Sequence, residues 1–196
     1  MSATFAPFQQ ETVERLVRLL ESRAADEIET GDLRRACVLI LLVEIRGRWC
    51  ILFSHRSPDL RVHSGQIAFP GGSADEGEQL EMAALRETEE EVGIPVDAVR
   101  LIGRLDDVIT RTGYVVSPFL GVLTRSVEYR LQETEVTSVY EVPVDDLLDS
   151  SNPEIRYLRY RDRTYPSYFF KHETLEIWGL TARILKGFLD VVRMEL

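Results

Sequence analysis

Apolar and polar positions follow a helical period near the N-terminus and an extended pattern soon after it. Four apolar residues recur there at i, i+3, i+4 and i+7: Val13, Leu16, Val17 and Leu20. This spacing predicts an amphipathic helix over about residues 9–24. Residues 36–43 form a continuous apolar run that is typical of a central strand buried on both faces. The turn Arg46-Gly47-Arg48 then leads into residues 49–54 and predicts a hairpin.

The rest of the chain alternates between helical and extended patterns. A helix is predicted from about Gln79 to Val92, where Gly93 is placed to cap it and Pro95 prevents its continuation. Strands are predicted at 101–105, 114–123, 136–142, 155–160 and 165–170, with a short helix at 144–148 and a C-terminal amphipathic helix over about 175–195. Interspersed strands and helices indicate one domain, residues 1–196, of the α/β (mixed α+β) class with a central mixed sheet flanked by helices.

Residues 55–79 show little periodicity and contain many turn-forming residues: Pro58, Gly65, Pro70, Gly71, Gly72 and Gly77. Loops of this length are uncommon inside compact domains unless they serve a function. We therefore expect this segment to take part in a binding or catalytic site.

The charge balance limits the class of partner. The chain has 23 Lys plus Arg against 33 Asp plus Glu, so its formal net charge is −10. A charge of this sign argues against broad binding to nucleic acid or to an anionic membrane. It leaves room for a small anionic substrate, which needs only a local basic pocket or a metal ion.

The cysteines and the N-terminus favour a cytoplasmic location. Cys37 and Cys50 each lie in an apolar stretch, fit no zinc-binding spacing and are expected to be buried reduced thiols. Residues 1–10 lack the basic and apolar regions of a signal peptide, and the apolar run at 36–43 is too short to span a bilayer.

The predicted helix at 79–92 carries an unusual acidic face. Because i, i+3 and i+4 neighbours share a face, Glu87, Glu90 and Glu91 lie in one arc. They extend the stripe of apolar and small residues on which the helix is expected to pack: Leu80, Ala83 and Ala84. Like charges at this spacing, near the negative end of the helix dipole, are mutually destabilising. A hard divalent cation such as Mg²⁺ or Mn²⁺ relieves these costs, whereas the alternative is a solvated acidic helix end.

The spacing of fixed residues favours the metal site. Five residues separate Gly72 from Glu78, and seven separate Glu78 from Arg86-Glu87. Glu90-Glu91, Gly93 and Ile94 complete the run. The pattern resembles the Nudix box, which is glycine–five–Glu–seven–Arg-Glu-aliphatic-any-Glu-Glu-any-Gly-aliphatic. Thr88 is the one departure, because the box prefers an aliphatic residue there.

The resemblance implies a Nudix-type α/β/α sandwich and a hydrolase that cleaves a nucleoside diphosphate linked to another group. Carried over position by position, it implies that Glu87 and Glu91 bind Mg²⁺ or Mn²⁺. Glu90 would be a further ligand or the base for the attacking water, and Arg86 would orient the glutamates. Gly72 would allow a tight turn and close backbone approach.

The segment before the box resembles the coenzyme A pyrophosphatase branch of that family. Its signature is Arg, Ser or Ala, three residues, Arg, three, Gly, three, Phe-Pro-Gly-Gly, and residues 56–72 match every position. The preceding Leu52-Phe53-Ser54 departs conservatively from the usual Leu-Leu-Thr, and residues 177–182 also look like that branch. The substrate implied is coenzyme A or an acyl derivative. The residues expected to bind it are Arg56, Arg61, His63, Gly71 and Gly72.

The mechanism implied is in-line attack of a water on the diphosphate, assisted by one or more divalent ions. The products would be 4′-phosphopantetheine and adenosine 3′,5′-bisphosphate. A base from a later loop is common in these enzymes, and Glu135 is the first candidate, with Glu133 second.

Three other interpretations compete with this one. A Nudix hydrolase of ADP-ribose or a nucleoside triphosphate is disfavoured by residues 56–72. A non-catalytic, nucleotide-sensing module is disfavoured because such modules usually lose box carboxylates that are present here. A nucleic-acid processor fits poorly with the charge of −10. The terminal helices are compatible with either a homodimer contact or a cover for the sheet.

Overall fold

Four α-helices and eleven β-strands make up the described part of the chain. The structure, a computed structural model, describes residues 7–60, 64–110, 112–149, 153–160 and 163–196. None of the helices in these ranges is long and apolar enough to cross a membrane. The elements are α1 (Gln10–Ser22), β1 (Arg34–Ile45), β2 (Arg48–Arg56), β3 (Ile67–Ala68), β4 (Gly71–Ser73), α2 (Leu80–Val92), β5 (Val99–Arg104), β6 (Val108–Ile109), β7 (Tyr114–Leu123), β8 (Val136–Pro143), α3 (Val144–Leu148), β9 (Glu154–Tyr160), β10 (Arg163–His172), β11 (Leu175–Trp178) and α4 (Gly179–Glu195).

The main sheet is built around β1. β1 pairs antiparallel with β2 and parallel with β7, so the sheet is mixed as predicted. The β1–β2 hairpin turns at Arg46 and Gly47, whose φ angles of 52° and 78° match the two-residue turns that favour a right-handed hairpin twist. β7 carries β5 and β6 on its far side, and β8 pairs with the outer edge of β2.

The segment of residues 67–73 fills the gap where β1 and β2 diverge. The two strands pair directly from Leu41–Leu52 to Ile45–Arg48. Below that point β3 takes the free edge of β2, and β4 takes the free edge of β1. The Leu39 N–H also donates to the Pro70 carbonyl at 2.9 Å. The middle of the long loop is therefore held by strand pairing at the edge where α2 begins.

Two apolar cores lie on opposite faces of this sheet. On one face α2 buries Ala83, Ala84 and Leu85 against Leu39 and Leu41 of β1. On the other face α1 and α4 pack against the alternate residues of β1, Ile40 and Leu42. Each core residue of β1 named here is fully buried, which confirms the predicted central strand and the predicted sandwich of helices around a mixed sheet.

The C-terminal helix begins four residues later than the sequence predicts. Residues 175–178 form β11, which pairs with β10 in a separate three-stranded sheet, and α4 begins at Gly179. Ile177 is fully buried in the strand. An apolar residue at this position is therefore compatible with a strand as well as with the predicted helix. Gly179 has a φ of 68°, a left-handed conformation that breaks the backbone between the two elements.

Candidate active site

The C-terminal end of α2 is closed by a loop that also delivers an acidic residue. The helix ends at Gly93, which adopts a φ of 74° and donates to the Glu89 carbonyl. The N–H groups of Arg130 and Gln132 donate to the carbonyls of Val92 and Glu91 at 2.9 and 3.0 Å. Carbonyls that a helix end would leave unpaired are thereby satisfied. The same loop reaches Glu135 three residues later.

Glu91 is the buried acid of the site, with only 2% of its surface exposed. Its Oε1 accepts a hydrogen bond from Arg56 Nη1 at 3.1 Å, and its Oε2 accepts one from the Gly71 N–H at 3.3 Å. Burial outweighs these contacts and raises the pKa of Glu91 from 4.5 to about 7. Arg56 is the last residue of β2 and Gly71 the first of β4, so the site is joined to the sheet at the inserted segment.

Arg86 organises the exposed half of the same acidic cluster. It binds both carboxylate oxygens of Glu78 at 2.9 and 3.0 Å, and its Nη1 donates to Glu87 at 2.9 Å and to Glu90 at 3.2 Å. The Arg86 guanidinium is the main reason that the pKa of Glu78 is lowered to about 2. Glu78, which was matched only as a box position, therefore anchors Arg86. Arg86 in turn fixes where the carboxylates of Glu87 and Glu90 lie.

Glu87 lies against Gly72 with no room for a side chain between them. A Cβ placed on Gly72 would be 2.5 Å from Cδ and 2.7 Å from Oε1 of Glu87. Burial raises the pKa of Glu87, and the nearby Arg86 opposes that rise. A side chain at this position of the box would therefore displace the Glu87 carboxylate from its place beside β4.

Thr88, the departure from the box, lies inside the core rather than in the site. Its side chain is 1% exposed, and its hydroxyl donates to the Ala84 carbonyl one turn earlier at 2.7 Å. The methyl group replaces the expected aliphatic contact, and the hydroxyl is satisfied within the helix. The substitution leaves the acidic face unchanged.

Glu135 and Glu90 lie at different edges of the cluster. The Glu135 carbonyl accepts from the Ser57 N–H at 2.7 Å, and its negative charge contributes to the raised pKa values of Glu87 and Glu91. Glu135 therefore lies within electrostatic range of both of these acids. The Glu90 side chain is 60% exposed and is held through Arg86. Arg61 and His63 lie outside the described residues.

The carboxylates suit a hard divalent cation, although they do not form a closed cage on their own. Among the described residues, no three His, Cys, Asp or Glu side chains are grouped closely enough to hold a metal ion by themselves. Arg56 and Arg86 each take one oxygen of a candidate ligand, Glu91 and Glu87 respectively. Glu87 and Glu91 are two desolvated carboxylates, each with a pKa raised by burial. A hard cation stabilises such a pair, with phosphate and water completing its coordination shell.

The pKa of Glu91 predicts how metal-free stability depends on pH. A raised folded-state pKa gives stability that is fully present below 4.5 and is lost as pH rises through about 7. We expect the thermal unfolding temperature of the metal-free protein, measured relative to that of Glu91→Gln, to decrease as the pH is raised from 5 to 8. Thermal unfolding of both proteins in chelator-treated buffers measures this difference. A midpoint difference that stays constant over this range would contradict the assignment of a buried, titrating Glu91.

A cavity of about 390 Å³ adjoins the acidic cluster. Arg56, Gly71 and Gly72 line its near side, and Trp178 and Leu180 line its far side. The sequence did not predict it, because its walls come from strands and a helix more than 100 residues apart in the chain. The resemblance of residues 177–182 to the coenzyme A branch was the one sequence signal for this cavity, and it did not indicate where these residues lie in the fold.

Comparison with known proteins decides the family. A model of the NUDIX domain matches residues 33–163, about two thirds of the chain. The chain belongs to the Nudix family. Members of this family generally require divalent ions such as Mg²⁺ or Mn²⁺, and the acidic cluster described above is the part of this Nudix chain that suits them.

Curated relatives carry the same family name. The chain is 38% identical over 159 residues to the protein of Citrobacter koseri named uncharacterized Nudix hydrolase NudL, which covers 81% of this chain and 82% of the relative. The NudL protein of Escherichia coli is 39% identical over 159 residues, which again cover 81% of this chain and 82% of the relative. These relatives confirm a Nudix hydrolase, while the coenzyme A branch stays a prediction.

Solved structures show the same fold at lower identity. RenU, a Nudix hydrolase from M. smegmatis, superposes with a TM-score of 0.51 and 22% identity over 58% of this chain and 73% of its own. A MutT/nudix family protein from Enterococcus faecalis has a TM-score of 0.54 and 17% identity, covering 97% of this chain and 76% of its own. At these identities the likeness concerns the fold alone.

Proposed function

We propose that this Nudix hydrolase cleaves the diphosphate of coenzyme A or its derivatives to 4′-phosphopantetheine and adenosine 3′,5′-bisphosphate. The observation that carries the proposal is the position of residues 56–72, the segment that resembles the coenzyme A branch. It begins at Arg56 against Glu91 and ends at Gly72 against Glu87. Both ends also line the cavity. A substrate diphosphate at these acids is therefore in contact with the segment.

Arg56 supports an anionic ligand. Its Nη1 is engaged by Glu91, but its Nε is buried and has no hydrogen-bond partner among the described residues. An unpaired donor of this kind is costly unless a ligand oxygen or an ordered water accepts from it. A diphosphate oxygen in the adjoining cavity would accept from this N–H, and guanidinium groups suit phosphate geometry.

The roles proposed for the acidic cluster follow from burial and contacts. Glu87 and Glu91 would hold the cation with Glu90 at the exposed edge, and Arg86 would keep Glu87 and Glu90 in place. A bound Mg²⁺ or Mn²⁺ would supply neutralisation of the diphosphate charge. Glu135 would accept the proton of the attacking water, because its charge acts on Glu87 and Glu91 and no arginine among the described residues is shown to engage its carboxylate.

Arg61 and His63 keep the substrate-binding role that the resemblance implies. The base of their loop is pinned beside the site, because the Arg56 N–H donates to the Gln66 carbonyl at 3.0 Å and the Gly65 N–H donates to the Arg56 carbonyl at 3.2 Å. Gly71 offers its N–H to Glu91, and Gly72 gives Glu87 its space.

Replacing Glu135 tests the proposed base. Glu135→Gln is expected to lower kcat by roughly 10²- to 10⁴-fold, because positioned general bases contribute about that much. Glu133→Gln is the matched control, since Glu133 is exposed two residues earlier in the same loop. Full activity in Glu135→Gln, with the loss in Glu133→Gln, would move the base to Glu133.

A substrate comparison tests the proposed function itself. The purified protein is incubated with coenzyme A, acetyl-coenzyme A, ADP-ribose and nucleoside triphosphates, each with Mg²⁺ and with Mn²⁺, and products are identified by mass. We expect the highest kcat/KM for coenzyme A or its acetyl ester, with 4′-phosphopantetheine or its acyl form as one product. Faster turnover of ADP-ribose than of coenzyme A would overturn the substrate assignment and leave the Nudix hydrolase intact.

A further inference from the structure

The cavity beside the acidic cluster is formed on the sheet face that carries α1 and α4. Its floor is apolar and includes Val38 of β1 and Val116 of β7, and Ile184 of α4 covers it. Its near side is shared with the site through Arg56 and Gly72. If a substrate diphosphate is held at the site, one of the two groups attached to that diphosphate can therefore lie in this cavity.

The outer wall of the cavity is Trp178, the last residue of β11. The indole is 40% exposed, and it stacks on Phe169 of β10 with ring centroids 6.3 Å apart and planes 9° apart. Phe169 is buried, with the Arg156 guanidinium 4.1 Å from its ring centroid. The indole is therefore backed by a fixed aromatic neighbour and presents a rigid apolar surface to the cavity.

The far wall lies outside the part of the chain that matches the family model. The match ends at residue 163, whereas the wall is formed by residues 178–181 and 184. The catalytic cluster, at residues 72–91, lies inside the match. The pocket therefore combines residues of the family-matched segment with residues that lie beyond it.

The chemistry of the lining selects an uncharged group. Arg56, on the near side, is the only charged residue among the described residues that line the cavity. The other amide and hydroxyl side chains of the described lining are neutral: Gln66, Ser73, Thr110, Thr112, Tyr114 and Thr181. Such a mainly apolar lining with neutral polar groups suits an uncharged ligand better than a charged one. A second phosphate group placed there would meet no cation other than Arg56 among the described lining residues.

We infer that the cavity binds the pantetheine arm of coenzyme A and that Trp178 determines this specificity by packing on the arm. The inference rests on the proposed function, which supplies coenzyme A as the substrate. Of its two halves, the pantetheine arm is uncharged, amide-bearing and partly apolar. The adenosine half carries a 3′-phosphate, for which the described lining offers no partner beyond Arg56.

Substitution of Trp178 tests kinetically which half of coenzyme A, pantetheine or adenosine, lies in the cavity. Trp178→Ala is expected to lower kcat/KM for coenzyme A by about 10- to 100-fold, mainly through KM, because it removes packing made with the bound substrate. Turnover of ADP-ribose, which has an adenosine diphosphate but no pantetheine, should be unchanged. Trp178→Phe should retain most of the coenzyme A activity. Tyr157→Ala is the matched control, because Tyr157 is 73% exposed in the same small sheet and does not line the cavity.

Calorimetric titration of the metal-free protein gives a readout that does not depend on turnover. Trp178→Ala is expected to weaken binding of 4′-phosphopantetheine by about 10-fold or more and to leave binding of adenosine 3′,5′-bisphosphate unchanged. Weakened binding of the bisphosphate alone would place the adenosine half in the cavity and overturn the inference. Thermal unfolding of each variant checks that it is folded.

The proposed function and the pocket assignment can fail separately. If the wild-type protein hydrolyses coenzyme A and Trp178→Ala matches it in both assays, the pocket assignment is wrong and the function stands. If the wild-type protein does not hydrolyse coenzyme A but binds 4′-phosphopantetheine through Trp178, the proposed reaction fails and the pocket assignment stands.

Discussion

Glu87→Gln and Glu91→Gln are each expected to lower kcat/KM by about 10³-fold or more. Each substitution keeps the size of the side chain and removes the negative charge that a divalent cation requires. Metal ions contribute several kcal/mol to transition-state stabilisation in such sites, and each 1.36 kcal/mol corresponds to about a tenfold change in rate. Steady-state kinetics with coenzyme A and Mg²⁺ measure the loss, and calorimetric titration with Mn²⁺ measures binding directly.

Glu89→Gln is the control on the same helix. Glu89 lies between the two acids in sequence but is exposed, so its substitution should leave kcat/KM within about twofold of wild type. The fold should survive in all three variants, because glutamine keeps the size of glutamate, and at position 91 its single amide oxygen can still accept from Arg56 or from the Gly71 N–H. Wild-type activity in both Glu87→Gln and Glu91→Gln would show that the cation is held elsewhere.

Gly71→Ala is expected to damage both stability and catalysis. Gly71 has a φ of 149°, and a Cβ there would overlap the Cys37 carbonyl and lie 2.7 Å from Val38 Cα. These are backbone atoms of β1, so the clash is relieved only by separating β4 from the central strand. We expect the free energy of unfolding to fall by roughly 2–4 kcal/mol, from backbone strain and overpacking together. Activity should fall as well, because the Gly71 N–H moves away from Glu91.

Two glycine variants divide this effect into its parts. Gly77→Ala meets nothing within 4 Å at a φ of 79°, so it should show only conformational strain of about 1 kcal/mol. The three atoms nearest to the Cβ that Gly72→Ala would add all belong to the end of the Glu87 side chain, so this variant should lose activity with less loss of stability. Denaturant unfolding and steady-state kinetics measure all three. Equal stability of Gly71→Ala and Gly77→Ala would argue against the tight insertion of β4.

Most elements of the fold were predictable because their signals are local. The apolar run of β1, the Arg46-Gly47 turn and the Gly93 cap each depend on neighbouring residues alone. The β11–α4 boundary was missed because Ile177 is buried under either assignment. Pairing of β11 with β10 decides between strand and helix there, and that pairing depends on a partner strand rather than on local pattern.

The identity of the acids was likewise predictable, whereas their environments were not. Spacing alone identified the arc of Glu87, Glu90 and Glu91 and linked it to the Nudix box. It did not distinguish the buried Glu91 from the exposed Glu90, because that difference depends on which strands cover the helix end. Arg56 contacts Glu91 from 35 residues away, and this contact exists only because the inserted segment brings β2, β4 and α2 together.

The sequence by itself determined the family of this protein, the helix that carries its acids and the loop that points to coenzyme A. These features are encoded in short-range spacing, which a linear chain preserves. The tertiary structure alone decided the burial that raises the pKa of Glu91, the loop that brings Glu135 to the site and the Trp178 wall of the cavity. Desolvation and packing depend on atoms that are distant in the chain, so no local pattern specifies them.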